Sequence, residues 1–159
     1  MRRSWIISTA FLFCLAALGA ENPVSWSIAN SPKKPVRAGT SFALHLQAQI
    51  QSGWHLYSID QDSGGPVATE ISAAGNPNFQ LGAIKGPKPI QLFDPNFNQR
   101  VGFYVDKAEF TVPVQVSPSG TAGSQTLPLQ IRYQSCNDKM CLPPKTIKVD
   151  APVEVKAGK

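Results

Sequence analysis

The sequence predicts an all-β fold, an antiparallel β-sandwich of immunoglobulin type. Short stretches of alternating apolar and polar residues recur along the chain, and this alternation puts the apolar side chains on one face of a strand. Proline and glycine interrupt the chain at short intervals, with 14 prolines and 12 glycines in 159 residues, which disfavours helices. About eight or nine short strands at this spacing are typical of a sandwich.

The first half of the chain contains the clearest alternation. Val24, Trp26 and Ile28 alternate with serines and predict the first strand, whereas the proline- and lysine-rich residues 31–39 predict a connection. His45 lies on the polar face of the strand predicted at residues 42–50, where we expect a solvated side chain. The further strands predicted in this half are residues 42–50, 54–58, 67–71, 79–84 and 90–93.

The second half begins with a polar segment, residues 94–100, that has Phe97 at its centre and predicts a loop. Phe103 and Tyr104 resume the sheet, and residues 110–116 alternate again. Pro113 cannot donate a hydrogen bond to a neighbouring strand, so its strand is predicted to lie at an edge or to be bulged. The last predicted strands are residues 127–133, 147–149 and 152–155.

The amino terminus has the pattern of an export signal. A short basic start, Met1-Arg2-Arg3, precedes an almost wholly apolar run at residues 5–18, and small residues follow where a signal peptidase cleaves. We therefore predict a signal peptide at residues 1–20 and a single domain at residues 21–159. An uncleaved membrane anchor is the alternative, although the apolar run is short for a membrane span.

The charge of the chain argues against a nucleic-acid partner. The sequence has 15 lysines and arginines against 10 acidic residues, and two of the arginines lie in the predicted signal peptide. The remaining basic residues are scattered, with no basic stripe and no interleaved aromatic residues. We therefore expect no binding to nucleic acid.

Removal of the signal peptide takes Cys14 and leaves two cysteines, Cys136 and Cys141, an even number that suits a disulfide in an exported chain. They flank four residues that include the turn-forming Asn137-Asp138, with an alternating strand on either side. We predict a β-hairpin with a cysteine at each shoulder of its loop. Facing Cβ atoms in such a hairpin are about 4.5–5.5 Å apart, and closer in non-hydrogen-bonded pairs, so a disulfide is geometrically reasonable.

The small number of residues between the cysteines indicates how much the disulfide could stabilise the fold. In the chain-entropy model, closing about six residues stabilises by only about 2 kcal/mol. A redox-active pair is therefore favoured, and a local structural disulfide is the alternative. A closed zinc site needs four ligands and only His45 and His55 remain, at no recognised spacing, so we expect no metal site and no cofactor. A metal chaperone that adds Met140 to the cysteines has only the softness of sulfur ligands in its favour.

Several enzyme classes lack their sequence motifs. The chain has no phosphate-binding loop, no Gly-x-Ser-x-Gly elbow and no His-Glu-x-x-His. A cysteine–histidine nucleophile pair, with His55 or His45 beside Cys141, is disfavoured because the second cysteine would oxidise with the nucleophile after export. Thiol–disulfide exchange needs only an attacking thiolate and a nearby resolving thiol, and one hairpin with two cysteines supplies both.

The residues around the cysteines resemble a known family. Tyr133-Gln134, Cys136, four intervening residues, Cys141 and Pro143-Pro144 resemble the amino-terminal (alpha) periplasmic domain of the thiol:disulfide interchange protein DsbD, here in a free-standing form. The segment Gly53-Trp54-His55-Leu56-Tyr57-Ser58 resembles an early strand of the same family. The resemblance covers residues 24–155 and implies an immunoglobulin-like sandwich whose cysteine pair cycles between disulfide and dithiol.

The resemblance also implies a place in electron transport. The pair would receive electrons from a membrane-embedded donor of DsbD type and pass them to periplasmic thioredoxin-fold acceptors, such as a disulfide isomerase or a thioredoxin of cytochrome c maturation. Cys141 would form the mixed disulfides and Cys136 would resolve them, an activity like that of a protein-disulfide reductase. The alternative is a non-catalytic binding module on the same fold, in which the disulfide only fastens a hairpin.

Four further site residues come from the resemblance. A cap loop with a phenylalanine shields the pair in the family, and Phe97 and the nearby Asp94 match it, with Phe93 as a rival. Tyr57 and Tyr133 are expected near the pair.

Overall fold

The computed structural model describes residues 22–158, so the predicted signal peptide at residues 1–20 lies outside the described residues. Between residues 22 and 158 every regular element is a β-strand. That part of the chain has no helix with the length and apolar character that a membrane crossing requires. The strands are β1 (Val24–Asn30), β2 (Val36–Arg37), β3 (Ser41–Ile50), β4 (Trp54–Tyr57), β5 (Glu70–Ala73), β6 (Phe79–Leu81), β7 (Ile90–Asp94), β8 (Gln99–Tyr104), β9 (Lys107–Val116), β10 (Gly123–Tyr133), β11 (Ser135–Asn137) and β12 (Lys145–Lys156).

Two four-stranded sheets form a sandwich, one in the order β1-β3-β9-β6 and the other in the order β2-β12-β10-β5. Their inward side chains are fully buried, as at Leu44 and Leu46 of β3 and at Leu129 of β10. Trp26 of β1 contacts Tyr133 of β10 across the sandwich, with ring centroids 5.5 Å apart. The main core therefore lies between these sheets, which confirms the predicted all-β sandwich.

A third sheet has the order β11-β4-β8-β7 and packs against the main core of the sandwich. Its strand β4 contributes to two apolar clusters: Trp54 and Leu56 join the main core, whereas Tyr57 joins a smaller cluster with Val101 of β8 and Cys136 of β11. Successive side chains of a strand point to opposite faces, so one face of this sheet closes the main core. The other face carries the smaller cluster.

The cysteine hairpin differs from the predicted arrangement. Strands β10 and β12 pair directly with each other, up to Tyr133 opposite Lys145. The residues between them leave that sheet, and β11 pairs with β4 of the third sheet. Pro143 and Pro144 precede β12 and have no N–H with which to extend its ladder, which helps to separate the two regions. The cysteines therefore flank the turn of a hairpin, as predicted, but the predicted flanking strands β10 and β12 pair with each other outside that hairpin.

Pro113 is accommodated in an interior strand, so the prediction of an edge strand or a bulge was also wrong. Strand β9 lies between β3 and β6, in continuous register with β3. The carbonyl of Pro113 accepts a hydrogen bond from the N–H of Gly82 at 2.8 Å, just beyond the end of β6 at Leu81. The nitrogen and carbonyl of one strand residue point to the same side. The missing N–H therefore faces the end of β6 and removes no hydrogen bond to β3.

The strand boundaries differ from the predicted ones in several places. Strand β2 lies in the predicted connection at residues 31–39, and β11 was not predicted. The separate strands predicted at residues 147–149 and 152–155 form one long strand, β12. Strand β5 begins at Glu70, near the end of the segment predicted for it.

Candidate functional site

Cys136 and Cys141 face each other across the small hairpin. Two backbone hydrogen bonds of 2.9 and 3.0 Å flank the pair, one from Asn137 to Met140 and one from Leu142 to Ser135. This pattern makes the cysteines a non-hydrogen-bonded pair, the type whose Cα atoms approach most closely. Their Cα atoms are 4.1 Å apart and their sulfurs are bonded at 2.00 Å, which confirms the predicted disulfide.

The turn between the cysteines is closed by one side chain. The carboxamide oxygen of Asn137 accepts hydrogen bonds from the backbone N–H groups of Lys139 and Met140, each at 2.9 Å. Asparagine commonly stabilises turns in this way. Asp138, Lys139 and Met140 are exposed, so the tip of the hairpin lies in solvent.

The two sulfurs differ in exposure. Cys136 is 0 % exposed, whereas Cys141 is only partly buried. We call the apolar group around them the sulfur cluster; its members are Tyr57, Val101 and Cys136, with Phe97, Phe103 and Cys141 packed against them. An incoming thiolate can therefore approach the disulfide through Cys141.

Tyr57 connects the sulfurs to a buried carboxylate. Its hydroxyl donates a hydrogen bond to the Asp94 carboxylate at 2.6 Å, and its oxygen lies 3.2 Å from the Cys136 sulfur and 3.9 Å from the Cys141 sulfur. The hydroxyl has one hydrogen, and the carboxylate is a stronger acceptor than a disulfide sulfur. Burial of the ring, followed by the hydrogen bond and charge of Asp94, raises the pKa of Tyr57 well above its ordinary value.

Asp94 also holds the four-residue turn at residues 95–98, which connects β7 to β8. Its carboxylate accepts a hydrogen bond from the N–H of Asn96 at 2.8 Å, and its carbonyl accepts one from the N–H of Phe97 at 3.3 Å. Phe97 then meets Tyr57 edge to face, with centroids 5.8 Å apart and an interplanar angle of 89°. Phe93 is 57 % exposed and is not a member of the sulfur cluster.

His55 also lies at this site, although the sequence offered it only as one of two possible partners for Cys141. It is paired with Cys136 across β4 and β11, and its ring packs on Tyr57 and Phe103 with centroids 5.1 and 4.8 Å away. Its Nε2 atom is buried and has no hydrogen-bond partner among the described residues. Alternation along the predicted strand at residues 54–58 puts His55 and Tyr57 on one face, and this signal could have identified His55.

Two other sequence candidates lie elsewhere. Tyr133 belongs to the main core, with its ring against Trp26 and its hydroxyl 3.4 Å from the carboxamide oxygen of Asn22. The structure therefore does not place Tyr133 in the sulfur cluster. His45 lies on β3 of the first sheet, partly exposed, with its Nδ1 3.0 Å from the Glu109 carboxylate.

Both the sequence and the fold of this chain resemble those of known proteins. The sequence model of the family "Thiol:disulfide interchange protein DsbD, N-terminal" matches residues 29–152. The DsbD n-terminal domain of Neisseria meningitidis in the reduced form is 19% identical over 74% of this chain and 82% of that one, with a TM-score of 0.53. The N-terminal periplasmic domain of ScsB from Proteus mirabilis is 14% identical, with a TM-score of 0.52, over 85% of this chain and 47% of that one.

These likenesses identify the sandwich as immunoglobulin-like, as the sequence predicted. None of the curated proteins matches the sequence.

Proposed function

The chain belongs to the family of N-terminal domains of the thiol:disulfide interchange protein DsbD, and we propose that it reduces thioredoxin-fold partners by cycling Cys136 and Cys141 between disulfide and dithiol. Family membership and the disulfide itself support a thiol–disulfide exchange domain. The observation that carries the finer proposal is the asymmetry of the pair, with one sulfur buried and the other partly exposed.

The proposed exchange has two balanced steps. A thiolate of the donor attacks the Cys141 sulfur, the Cys136–Cys141 bond breaks, and its electron pair leaves on the Cys136 sulfur. A second donor thiolate then releases Cys141, so the donor becomes a disulfide and the domain a dithiol. The same steps in reverse pass two electrons to an oxidised thioredoxin-fold acceptor. A membrane-embedded protein of DsbD type is the proposed donor.

Three neighbours complete the proposed site. Phe97 shields the disulfide, and Asp94 fixes the turn that carries Phe97 through its hydrogen bonds to Asn96 and Tyr57. Tyr57 presents its hydroxyl to both sulfurs. The edge-to-face contact of Phe97 with Tyr57 supports its role as the cap in preference to the exposed Phe93.

The first test is the reduction potential of the Cys136–Cys141 pair, measured by equilibrating the purified protein in graded thiol buffers. We expect a value above about −250 mV, the range of exchangeable disulfides. The reduced protein should stay folded, because the loss of so short a cross-link costs only about 2 kcal/mol. A value below about −300 mV, as structural disulfides have, would favour the non-catalytic binding module.

Replacing Phe97 with alanine should speed reduction by a small dithiol. An aromatic pair of this geometry contributes about 0.5–1.5 kcal/mol beyond its buried area, so its loss should raise the reduction rate by about 2- to 10-fold if Phe97 shields the sulfurs. The rate can be followed by quenching with an alkylating reagent. Phe93→Ala is the matched control, because Phe93 lies on β7, just before the turn that carries Phe97, but is exposed. Equal rates for the two variants would remove Phe97 from the proposed cap.

We also propose that the domain, residues 21–159, acts in the periplasm after cleavage of a signal peptide at residues 1–20. The basic start followed by an apolar run supports export. The relative from Proteus mirabilis is itself a periplasmic domain.

A further inference from the structure

His55 is the cross-strand neighbour of Cys136, whose sulfur leaves during the proposed reduction. It is the cross-strand partner of Cys136, and facing side chains of such a pair have Cβ atoms about 4.5–5.5 Å apart. Its ring is held in place by Tyr57 on its own strand and by Phe103 on the neighbouring strand β8. The imidazole therefore packs on the same face of the third sheet as the side chain of Cys136.

The buried Nε2 atom of His55 has no hydrogen-bond partner among the described residues. A buried polar atom without a partner costs free energy, and in a native structure a redox or catalytic role is one explanation for such an atom. The oxidised sulfurs carry no charge and no hydrogen, so the disulfide state offers Nε2 only a weak acceptor.

The groups that face His55 include two carboxylates. A cleft of about 270 Å³ is lined by His55, by Asp94 at the end of β7 and by Asp138 of the cysteine hairpin, while β8 contributes the uncharged Phe103. Tyr57 and the cysteine pair are the remaining titratable groups of the cluster. Burial lowers the pKa of His55 below its ordinary value, although the charges of Asp94 and Asp138 act in the opposite direction. Burial therefore disfavours the charged imidazolium while the disulfide is intact.

Reduction changes the charge beside this imidazole. Two electrons enter the disulfide, and the electron pair of the broken bond stays on the Cys136 sulfur, which is 0 % exposed. That sulfur needs either a proton or a positive neighbour, because an isolated charge is unfavourable in an apolar cluster. Tyr57 can supply a hydrogen bond only by giving up its bond to Asp94.

We propose that His55 takes up a proton when the disulfide is reduced and becomes the counter-ion of the Cys136 thiolate. The inference rests on the proposed redox cycle of Cys136 and Cys141. The balance is two electrons and two protons: one proton goes to Cys141 as a thiol and the other to His55 as imidazolium. Cys136 then remains a thiolate, ready to attack a mixed disulfide formed at Cys141 without prior loss of a proton.

The test is a titration of both histidines by NMR, in the oxidised and in the reduced protein. We expect the midpoint of His55 to rise by about one pH unit or more on reduction, the size of effect that a close opposite charge produces. His45 is the internal control, because it lies on another sheet, against Glu109, and its NMR signals should not respond to reduction. The same His55 midpoint in the two redox states would overturn the proposal.

Two matched variants extend the test to the sulfur. His55→Gln keeps a polar side chain of similar size but cannot carry the charge, so the thiolate absorbance of the reduced protein should appear at higher pH than in the wild type. His45→Gln should leave that absorbance unchanged. An unchanged thiolate titration in folded His55→Gln would also overturn the proposal.

Failure of the proposed function gives a different result from failure of this inference. If the disulfide cannot be reduced reversibly in the folded protein, the proposed redox cycle and the role of His55 both fail. If reduction is reversible and His55 does not respond, only the role of His55 fails.

Discussion

The protein with Cys136→Ala should accumulate mixed disulfides with a thioredoxin-fold partner, whereas the protein with Cys141→Ala should form almost none. Cys141 is partly exposed and would remain as a free thiol in the first variant. Cys136 is 0 % exposed beneath Tyr57 and Phe97, so in the second variant the remaining thiol is reached only after local opening. An opening cost of about 1.4 kcal/mol already slows the reaction tenfold.

The probe for this experiment is a thioredoxin whose single remaining active-site thiol has been activated as an aryl disulfide. Adducts are separated by non-reducing electrophoresis and counted over time. Thiol counts after denaturation control for variants that have already been oxidised. Equal trapping by the two variants would contradict the assignment of Cys141 as the attacked sulfur. Trapping only in the Cys141→Ala variant, where Cys136 is the remaining thiol, would make Cys136 the attacked sulfur.

Tyr57→Phe should lower the free energy of unfolding of the oxidised protein by about 1–3 kcal/mol. The substitution keeps the buried ring but removes the hydroxyl that donates to Asp94 at 2.6 Å, and Asp94 is only 7 % exposed. A buried carboxylate that loses a donor bears a desolvation penalty of about this size. The measurement is urea unfolding followed by fluorescence, with the disulfide intact.

Tyr133→Phe is the matched control for that measurement. It also removes a tyrosine hydroxyl from a buried ring, but that hydroxyl is 3.4 Å from an uncharged oxygen of Asn22. A contact of this length between neutral groups contributes little, so the control should change stability by less than about 1 kcal/mol. Similar losses for the two variants would show that the Tyr57–Asp94 hydrogen bond is not a special support of the turn at residues 95–98.

The third sheet explains how one short disulfide can be both held and reachable. Strand β11 places Cys136 beside β4, so the buried sulfur is fixed by the same strand that supplies Tyr57 and His55. Cys141 lies on the return arm of the hairpin, whose tip is in solvent. The cross-link therefore joins a buried strand of the third sheet to the partly exposed return arm of the hairpin.

Much of the fold could be predicted from local pattern. Alternation at residues 42–50 and 127–133 identified β3 and β10, because a half-buried strand needs apolar residues at every second position. The disulfide followed from the number of cysteines and their turn chemistry. The strand that contains Pro113 was wrongly predicted to be an edge strand or bulged, because the sequence does not show toward which neighbouring strand the missing N–H points.

The site depended more strongly on tertiary structure. Tyr57 and Tyr133 looked equally close to the cysteines in the family pattern, yet they face different clusters. Strand β11 is too short to have a pattern of its own, and its pairing with β4 brings together residues 79 positions apart, as in the contact of Tyr57 with Cys136. Only that pairing puts His55 opposite Cys136.

The all-β fold class, the cysteine pair and the family could be recognised from the sequence alone, because each depends on residues that are close along the chain. Which sulfur is buried, which phenylalanine contacts Tyr57 and which groups line the cleft at His55 became clear only from the folded chain. Those properties arise from contacts between segments that are distant along the chain. Burial and charge at such contacts depend on how the strands pack, and local pattern carries no information about that packing.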